Sequence, residues 1–142
     1  MQNDCPFCSI DLIKTRIVHY SQACLVILSN PSLAEGHLLI IPKRHLDNIS
    51  QLNKEELIDI FENLIKFENI LLKKNSGCDI RQNFRPFIKQ NSYKVNHLHF
   101  HLIPRNNEDE LYSKSMVYGK DIFRFLSEEK LNNIIKRIED AN

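Results

Sequence analysis

Histidines and large apolar residues alternate strictly in one segment of the chain, from His97 to Ile103, which reads His-Leu-His-Phe-His-Leu-Ile. Successive side chains of an extended strand point to opposite faces of a sheet. The segment is therefore predicted to be a strand with His97, His99 and His101 on one face and apolar residues on the other. Polar groups seldom share a partly buried face unless they are partnered or functional, so this face is the first candidate for a site.

Four further segments have the apolar composition of strands: 17–20, 24–28, 36–42 and 78–84. The first two are separated by Ser21-Gln22 and are predicted to form a hairpin. The third is almost entirely aliphatic between Gly36 and Pro42, which is typical of a buried central strand. Together with the histidine segment they predict an α+β fold with an antiparallel sheet of about five strands.

Two segments have helical periodicity. Asn53 and Glu56 form a capping-box pattern, and apolar residues recur at 3.6-residue spacing from there to about Lys73. A C-terminal helix is predicted from a Ser127 cap to about Ile138. The apolar stripe of the long helix is wider than packing on one sheet requires, which favours a homodimer built on this helix. The alternative is that a terminal segment of the same chain covers the stripe.

Composition indicates one ordinary globular domain of 142 residues, with 42% hydrophobic residues, 26% charged residues and a net charge of +1. No apolar run is long enough to span a bilayer, and the N-terminus lacks the pattern of a signal peptide. We therefore expect a cytoplasmic protein without a membrane or nucleic-acid partner.

Positive charge is concentrated around the histidine segment. Residues 80–107 contain no acidic residue and five basic ones: Arg81, Arg85, Lys89, Lys94 and Arg105. Clustered positive charge attracts anions, so the histidine face is predicted to bind an anionic substrate. An ordinary solvated loop is the alternative explanation for part of this cluster.

Cys5 and Cys8 form a Cys-x-x-Cys turn, which brings two sulfurs within reach of one tetrahedral metal ion. A redox pair is the alternative, but such a pair normally follows the first strand of a βαβ unit, and no strand precedes this one. The remaining ligands of a zinc site would come from His45 or from the histidine segment. Cys24 and Cys78 are expected to be reduced and buried.

Three motifs together resemble the histidine triad superfamily of nucleotide hydrolases and transferases, in its zinc-carrying, prokaryotic-type branch. They are the alternating segment 97–103, the Cys-Pro-Phe-Cys motif of 5–8, and the Gly-His-Leu-Leu-Ile-Ile-Pro-Lys-Arg-His segment of 36–45. The resemblance covers about residues 5–105. It implies a single domain of residues 1–142, with a zinc knuckle in 1–15, a core in about 16–105 and a C-terminal segment in 106–142.

The resemblance also implies a role for each histidine. His99 would attack the α-phosphate of a nucleoside phosphoramidate, an adenylate or a dinucleoside polyphosphate and form a covalent nucleotidyl-histidine. His101 and His37 would serve the phosphate and the leaving group. A structural Zn²⁺ would be bound by Cys5, Cys8, His45 and His97.

The substrate contacts depart from the family pattern. Many relatives have a Gly-Gln pair where Ser92 and Tyr93 stand, so a compensating contact is expected further upstream. The expected substrate-binding residues are Ser29, Asn30, Asn83 and Arg85. A cation for a triphosphate would come from Arg85, Lys94 or Arg105.

Two other functions fit the same residues. The chain could be a nucleotide-binding or scaffold module with little turnover. Alternatively, the three alternating histidines could hold a catalytic metal ion that activates water. A binding module would turn over nucleotides no faster than its His99→Ala variant, whereas an enzyme would be faster. A catalytic metal on the alternating histidines would be lost when His99 is replaced.

Overall fold

The computed structural model describes residues 4–115 and 124–141, and its centre is a single antiparallel sheet. The strands are β1 (Ile17–Tyr20), β2 (Cys24–Leu28), β3 (Leu38–Pro42), β4 (Gly77–Arg81) and β5 (Phe100–Arg105). They lie in the order β1-β2-β3-β5-β4, and every neighbouring pair is antiparallel. The predicted α+β fold with about five strands is confirmed.

Three helices accompany the sheet: α1 (Lys54–Leu71), α2 (Glu110–Ser115) and α3 (Glu128–Asp140). The capping box predicted for α1 is present, because Asn53 Oδ1 accepts from the Glu56 N–H and the Glu56 carboxylate accepts from the Asn53 N–H. Ser127 caps α3 as predicted. None of the helices in the described ranges is both long and apolar enough to cross a membrane.

Helix α2 lies outside the two segments that have helical periodicity, so the sequence did not predict it. The Asp109 carboxylate accepts from the Tyr112 N–H at 2.8 Å, which satisfies a free amide at the start of the helix. A helix of 6 residues is too short to show an apolar period, so its cap is the only local signal.

Two predicted strand boundaries also need correction. Strand β5 begins at Phe100 instead of His97, and β4 ends at Arg81 instead of Phe84. Strand β3 pairs with β5 only as far as Ile40 opposite Phe100. Beyond that point the chain is held differently, since the Leu98 N–H donates to the carbonyl of Leu46 in the loop after β3. His97 and His99 therefore precede the strand.

The two faces of the sheet differ as the alternation predicts. The helix side holds the larger apolar cluster, which joins α1 to the sheet and includes Val26, Ile40, Ile60, Leu64, Phe67, Leu98, Phe100 and Leu102. Burial of each such side chain contributes about 1.5–3 kcal/mol to stability. The opposite face carries a smaller cluster, in which Phe7 packs near Leu39 and Ile41. Because Leu98, Phe100 and Leu102 face the helix, the intervening histidines lie on the side of Phe7.

The outer surface of α1 is apolar and uncovered in the described part of the chain. Leu57, Ile58, Phe61 and Ile65 are between 45% and 58% exposed. Helix α3 packs on no other described helix or strand, so it does not cover this surface. The predicted alternative, coverage by a terminal segment, is thus not observed for residues 124–141.

Candidate functional site

Four potential metal ligands converge where the N-terminal turn meets the histidine segment. Cys5, Cys8, His45 and His97 each offer one ligand atom, and these atoms all lie within 4.8 Å of one another. The turn is closed by backbone hydrogen bonds from the amides of Cys8 and Ser9 to the Cys5 carbonyl. The four residues that the resemblance implied as zinc ligands are thus brought together.

The geometry of this cluster fits zinc. Cys5 Sγ lies 3.4 Å from His97 Nδ1, and Cys8 Sγ lies 3.2 Å from His45 Nδ1. A tetrahedral ion about 2.3 Å from sulfur and about 2.0 Å from nitrogen holds such atoms about 3.5 Å apart. His97 Nε2 donates to the Pro42 carbonyl at 2.8 Å, which leaves the lone pair on Nδ1, the atom that faces the sulfurs. The chain therefore has a cluster that could bind a metal ion through four ligands.

The loop that carries His45 is fixed by the start of α1. The Arg44 guanidinium makes two hydrogen bonds of 2.8 Å to the two carboxylate oxygens of Glu56 and a third to the Gln51 carbonyl. This pairing lowers the pKa of Glu56. Because Glu56 also caps the helix, one buried carboxylate ties the ligand-bearing loop to the sheet-packed helix.

The position of His99 determines which of its ring nitrogens is free. His99 Nδ1 lies 2.7 Å from the His97 carbonyl oxygen, which can only accept, so Nδ1 carries the proton. Burial lowers the pKa of His99, which favours the neutral ring. Nε2 therefore bears a lone pair. The ring is also contacted edge-on by Phe7, with centroids 5.3 Å apart.

His37 and His101 form a relay whose direction is set by a backbone amide. The Leu33 N–H donates to His37 Nδ1 at 3.1 Å, so the neutral His37 ring carries its proton on Nε2. That proton is donated to His101 Nδ1 at 2.9 Å. His101 is left with its proton on Nε2, and its ring lies 4.8 Å from that of His99. The three rings thus present a lone pair and an N–H donor side by side.

Burial keeps this relay uncharged. It lowers the pKa of His101 to about 3 and the pKa of His37 to about 4, with the positive charge of Arg81 as a further cause. Both rings are therefore neutral at pH 7. A neutral pair is required for the relay, because a doubly protonated His37 would have no lone pair to accept from Leu33.

The predicted substrate-binding residues occupy two places. Ser29 lies at the end of β2 beside His37, where its N–H donates to the His37 carbonyl and its hydroxyl to the Pro31 carbonyl. Asn30 follows it and is exposed. Asn83 and Arg85 are exposed beyond the end of β4, with a 3.4 Å hydrogen bond between them. Among the described hydrogen bonds, none links these four residues to His99 or His101.

Two of the three residues expected to supply a cation for a triphosphate are paired with other groups of the protein. Arg105 is buried, and its guanidinium pairs at 2.6 Å with Asp79 and with Asp109, so it holds the start of α2 on β5. The Lys94 ammonium donates to the Ile88 carbonyl and to Asn96 Oδ1. Sequence reasoning missed a better-placed residue, Arg81, which pairs in register with His101. Alternation along β4 could indicate which face of the strand carries Arg81, but only the pairing register of β4 with β5 shows that His101 lies opposite it.

A group of four potential metal ligands beside an alternating histidine segment on this sheet agrees with the family comparison. The family model named HIT domain matches residues 11–108, more than half of the chain. The chain belongs to the HIT family. A crystal structure of a HIT family member from Bacillus subtilis superposes on this HIT protein with a TM-score of 0.77, covering 98% of this chain and 97% of the other, at 23% identity. That likeness confirms the fold.

Two curated relatives of this HIT protein carry named activities. The adenosine 5'-monophosphoramidase HINT3 of Mus musculus is 28% identical over 138 residues, which is 91% of this chain and 79% of the relative. The bis(5'-adenosyl)-triphosphatase of Dictyostelium discoideum is 24% identical over 106 residues, 71% of this chain and 70% of the relative. Both relatives are named as enzymes that act on adenosine compounds, and each matches more than two thirds of this chain.

Proposed function

We propose that this HIT protein cleaves nucleotides at the α-phosphate through a covalent nucleotidyl-histidine on His99, with a phosphoramidate, an adenylate or a dinucleoside polyphosphate as substrate. One observation carries the proposal: His99 Nδ1 donates to the His97 carbonyl, so the Nε2 lone pair is free beside the N–H donor of His101. An uncharged nucleophile and a fixed donor at one phosphorus are what nucleophilic catalysis of group transfer needs.

The reaction proceeds in two displacements. In the first, His99 Nε2 forms a bond to the α-phosphorus, and the bond from phosphorus to the leaving group breaks with its electron pair going to that group. An amine leaving group takes up a proton from solvent as it departs, which balances the proton that the second displacement releases. In the second, a water oxygen bonds to phosphorus, the P–N bond breaks with its electron pair returning to Nε2, and the water proton passes to solvent. The product is a nucleoside monophosphate.

The other histidines position charge around the reacting phosphate. His101 Nε2–H donates to a phosphoryl oxygen or to the leaving atom, and His37 holds that tautomer through the relay from Leu33. Such donors need no reorganisation when charge develops, which is the source of their effect. Ser29 and Asn30 are proposed to contact the nucleoside, and Asn83 and Arg85 the phosphates.

Zinc is proposed as a structural cofactor. Cys5, Cys8, His45 and His97 would fill all four positions of a tetrahedral ion, and a closed site of this kind supports the fold and has no position left to activate water. The ligand set would fix the N-terminal turn, and with it Phe7, against the ring of His99. His97 would then hold the segment in which His99 acts.

The covalent intermediate provides the direct test of this function. The protein is mixed with adenosine 5'-monophosphoramidate or a dinucleoside polyphosphate, quenched in base within the first turnover, and examined by intact mass spectrometry. We expect one adenylyl group per chain and a loss of that group in acid, because a P–N bond to imidazole is acid-labile. Release of adenosine monophosphate with no adduct at any quench time would contradict the covalent mechanism.

We also propose that the protein is a homodimer in which α1 packs against its copy. The exposed apolar residues of α1 support this arrangement, since an isologous contact uses the same patch twice. Replacing Phe61 and Ile65 together by lysine is expected to shift sedimentation at micromolar concentration from dimer to monomer. Glu62→Lys, at an exposed neighbouring position on the same helix, is the matched control. A wild type that sediments as a monomer would contradict the proposal.

Two broader features complete the proposal. We propose that residues 1–142 form a single domain and that the protein acts in the cytoplasm on small nucleotides, without a nucleic-acid partner. The net charge of +1 offers no general attraction to a polyanion.

A further inference from the structure

Arg81 occupies a defined place on the histidine face. It is the last residue of β4 and lies directly opposite His101 of β5 in the antiparallel register. Directly paired residues put their side chains on the same face of a sheet, with Cβ atoms about 5 Å apart. The Arg81 side chain therefore starts next to the ring whose Nε2–H is the proposed donor to the substrate.

The Arg81 guanidinium is only partly used within the protein. In the described part of the chain it makes one ion pair, a 3.1 Å contact from Nη2 to the carboxylate of Asp79, and its side chain is 33% exposed. The same carboxylate oxygen accepts from the buried Arg105 at 2.6 Å, so Asp79 is shared between two cations. A guanidinium has five N–H donors, and most of those on Arg81 remain available for a ligand.

The charge of Arg81 already reaches the relay. It is among the causes that lower the pKa of His37 and of His101, as expected for a cation on the same face of the sheet as the two rings. The other cations of the basic segment are placed differently. Arg105 pairs with Asp79 and Asp109, the Lys94 ammonium donates to a carbonyl and an amide oxygen, and Arg85 and Lys89 are exposed beyond the end of β4. Arg81 is thus the cation that the sheet itself places beside His101.

We propose that Arg81 is a specificity-determining residue that binds the leaving group on the His101 side and favours substrates whose leaving group is an anion, such as sulfate or phosphate. The proposal rests on the nucleotidyl-transfer function given above. Negative charge grows on such a leaving group as its bond to the α-phosphorus breaks, and a preplaced guanidinium stabilises that charge. An amine leaves in protonated form, so the same cation gives it no assistance.

The test compares two substrates with the same adenylyl group. Adenosine 5'-phosphosulfate releases an anion, whereas adenosine 5'-monophosphoramidate releases an amine. For Arg81→Met we expect kcat/KM for the phosphosulfate to fall about 30-fold and that for the phosphoramidate to fall less than about 3-fold, in line with the loss of one charge-assisted contact. Arg81→Lys should recover part of the lost preference. Lys89→Met removes one charge from the exposed part of the basic segment and serves as the control.

The outcomes separate this proposal from the proposed function. If Arg81→Met lowers kcat/KM equally for both substrates, or for neither, the role of Arg81 is overturned while nucleotidyl transfer stands. A wild type without turnover on these two substrates and on a dinucleoside polyphosphate would overturn the proposed function. In that case the dissociation constant of adenosine 5'-phosphosulfate, measured by calorimetry, still tests Arg81: a roughly tenfold weakening in Arg81→Met supports a contact with the anionic leaving group, and an unchanged value overturns it.

Discussion

We expect His99→Ala to lose about 10⁴-fold in kcat on adenosine 5'-monophosphoramidate, to a level at which adenosine monophosphate release is barely above background. The reason is that the substitution removes the one imidazole among the described residues that has a free lone pair on Nε2 and lies next to the His101 donor. The adenylyl adduct should disappear with it. Steady-state kinetics and the mass measurement of quenched protein check the two parts of this expectation.

His19→Ala is the matched control for loss of a histidine. His19 lies in β1 and packs against Phe67 of α1, so its replacement leaves the histidine face untouched. Circular dichroism and the melting temperature of His99→Ala establish that it is folded. If the wild type turns over no faster than His99→Ala, the enzyme assignment fails and a nucleotide-binding module takes its place. If His99→Ala keeps more than about a tenth of the wild-type rate, another residue is the nucleophile.

The second large effect expected is on stability. Removing zinc with a chelator, or replacing His45 by alanine, should lower the melting temperature by about 10 °C. This follows because a ligand present at about 1,000 times its Kd stabilises the fold by about 4 kcal/mol, and each kcal/mol corresponds to about 3 °C in a chain of this size. The site links residues far apart in sequence, from Cys5 to His97, so its loss frees the N-terminal turn. Differential scanning calorimetry with and without chelator measures the change.

Metal content gives the corresponding control. We expect one zinc per chain in the wild type and in His99→Ala, and none in His45→Ala or Cys5→Ala. Elemental analysis of the purified proteins distinguishes these cases. Loss of zinc in His99→Ala would move the metal onto the alternating histidines and make it catalytic, which is the rival assignment. Retention of zinc in His45→Ala would show that His45 is not one of its ligands.

Local pattern was sufficient for most of the fold. The alternation of 97–103, the aliphatic run before Pro42 and the capped period from Asn53 each depend on contacts within a few residues, which sequence spacing reports directly. Strand ends were less accurate, because the start of β5 depends on how far its pairing with β3 continues. Helix α2 was not predicted, because it depends on capping by Asp109 and on the ion pair between Asp109 and Arg105. Neither contact produces a helical repeat of apolar residues in the sequence.

The assignment of charges required the assembled sheet. Arg105, Lys94 and Arg81 are alike in sequence, each a cation in a segment without acids. Tertiary contacts separate them, since Asp109 neutralises Arg105 while register alone puts Arg81 beside His101. The acids that decide this lie outside the basic segment, at positions 79 and 109, so a count within the segment could not include them.

The sequence by itself determined that three histidines share one face, that a Cys-x-x-Cys turn lies ahead of them, and that a long amphipathic helix supports the sheet. These features follow from the fixed periods of strand and helix. Only the tertiary structure decided how the histidines differ. His97 turns its Nδ1 to the cysteines because Pro42 takes its other nitrogen, His99 keeps a free Nε2, and His101 receives its tautomer from Leu33 through His37. Ring protonation depends on which partner each nitrogen meets, and those partners come from distant parts of the chain.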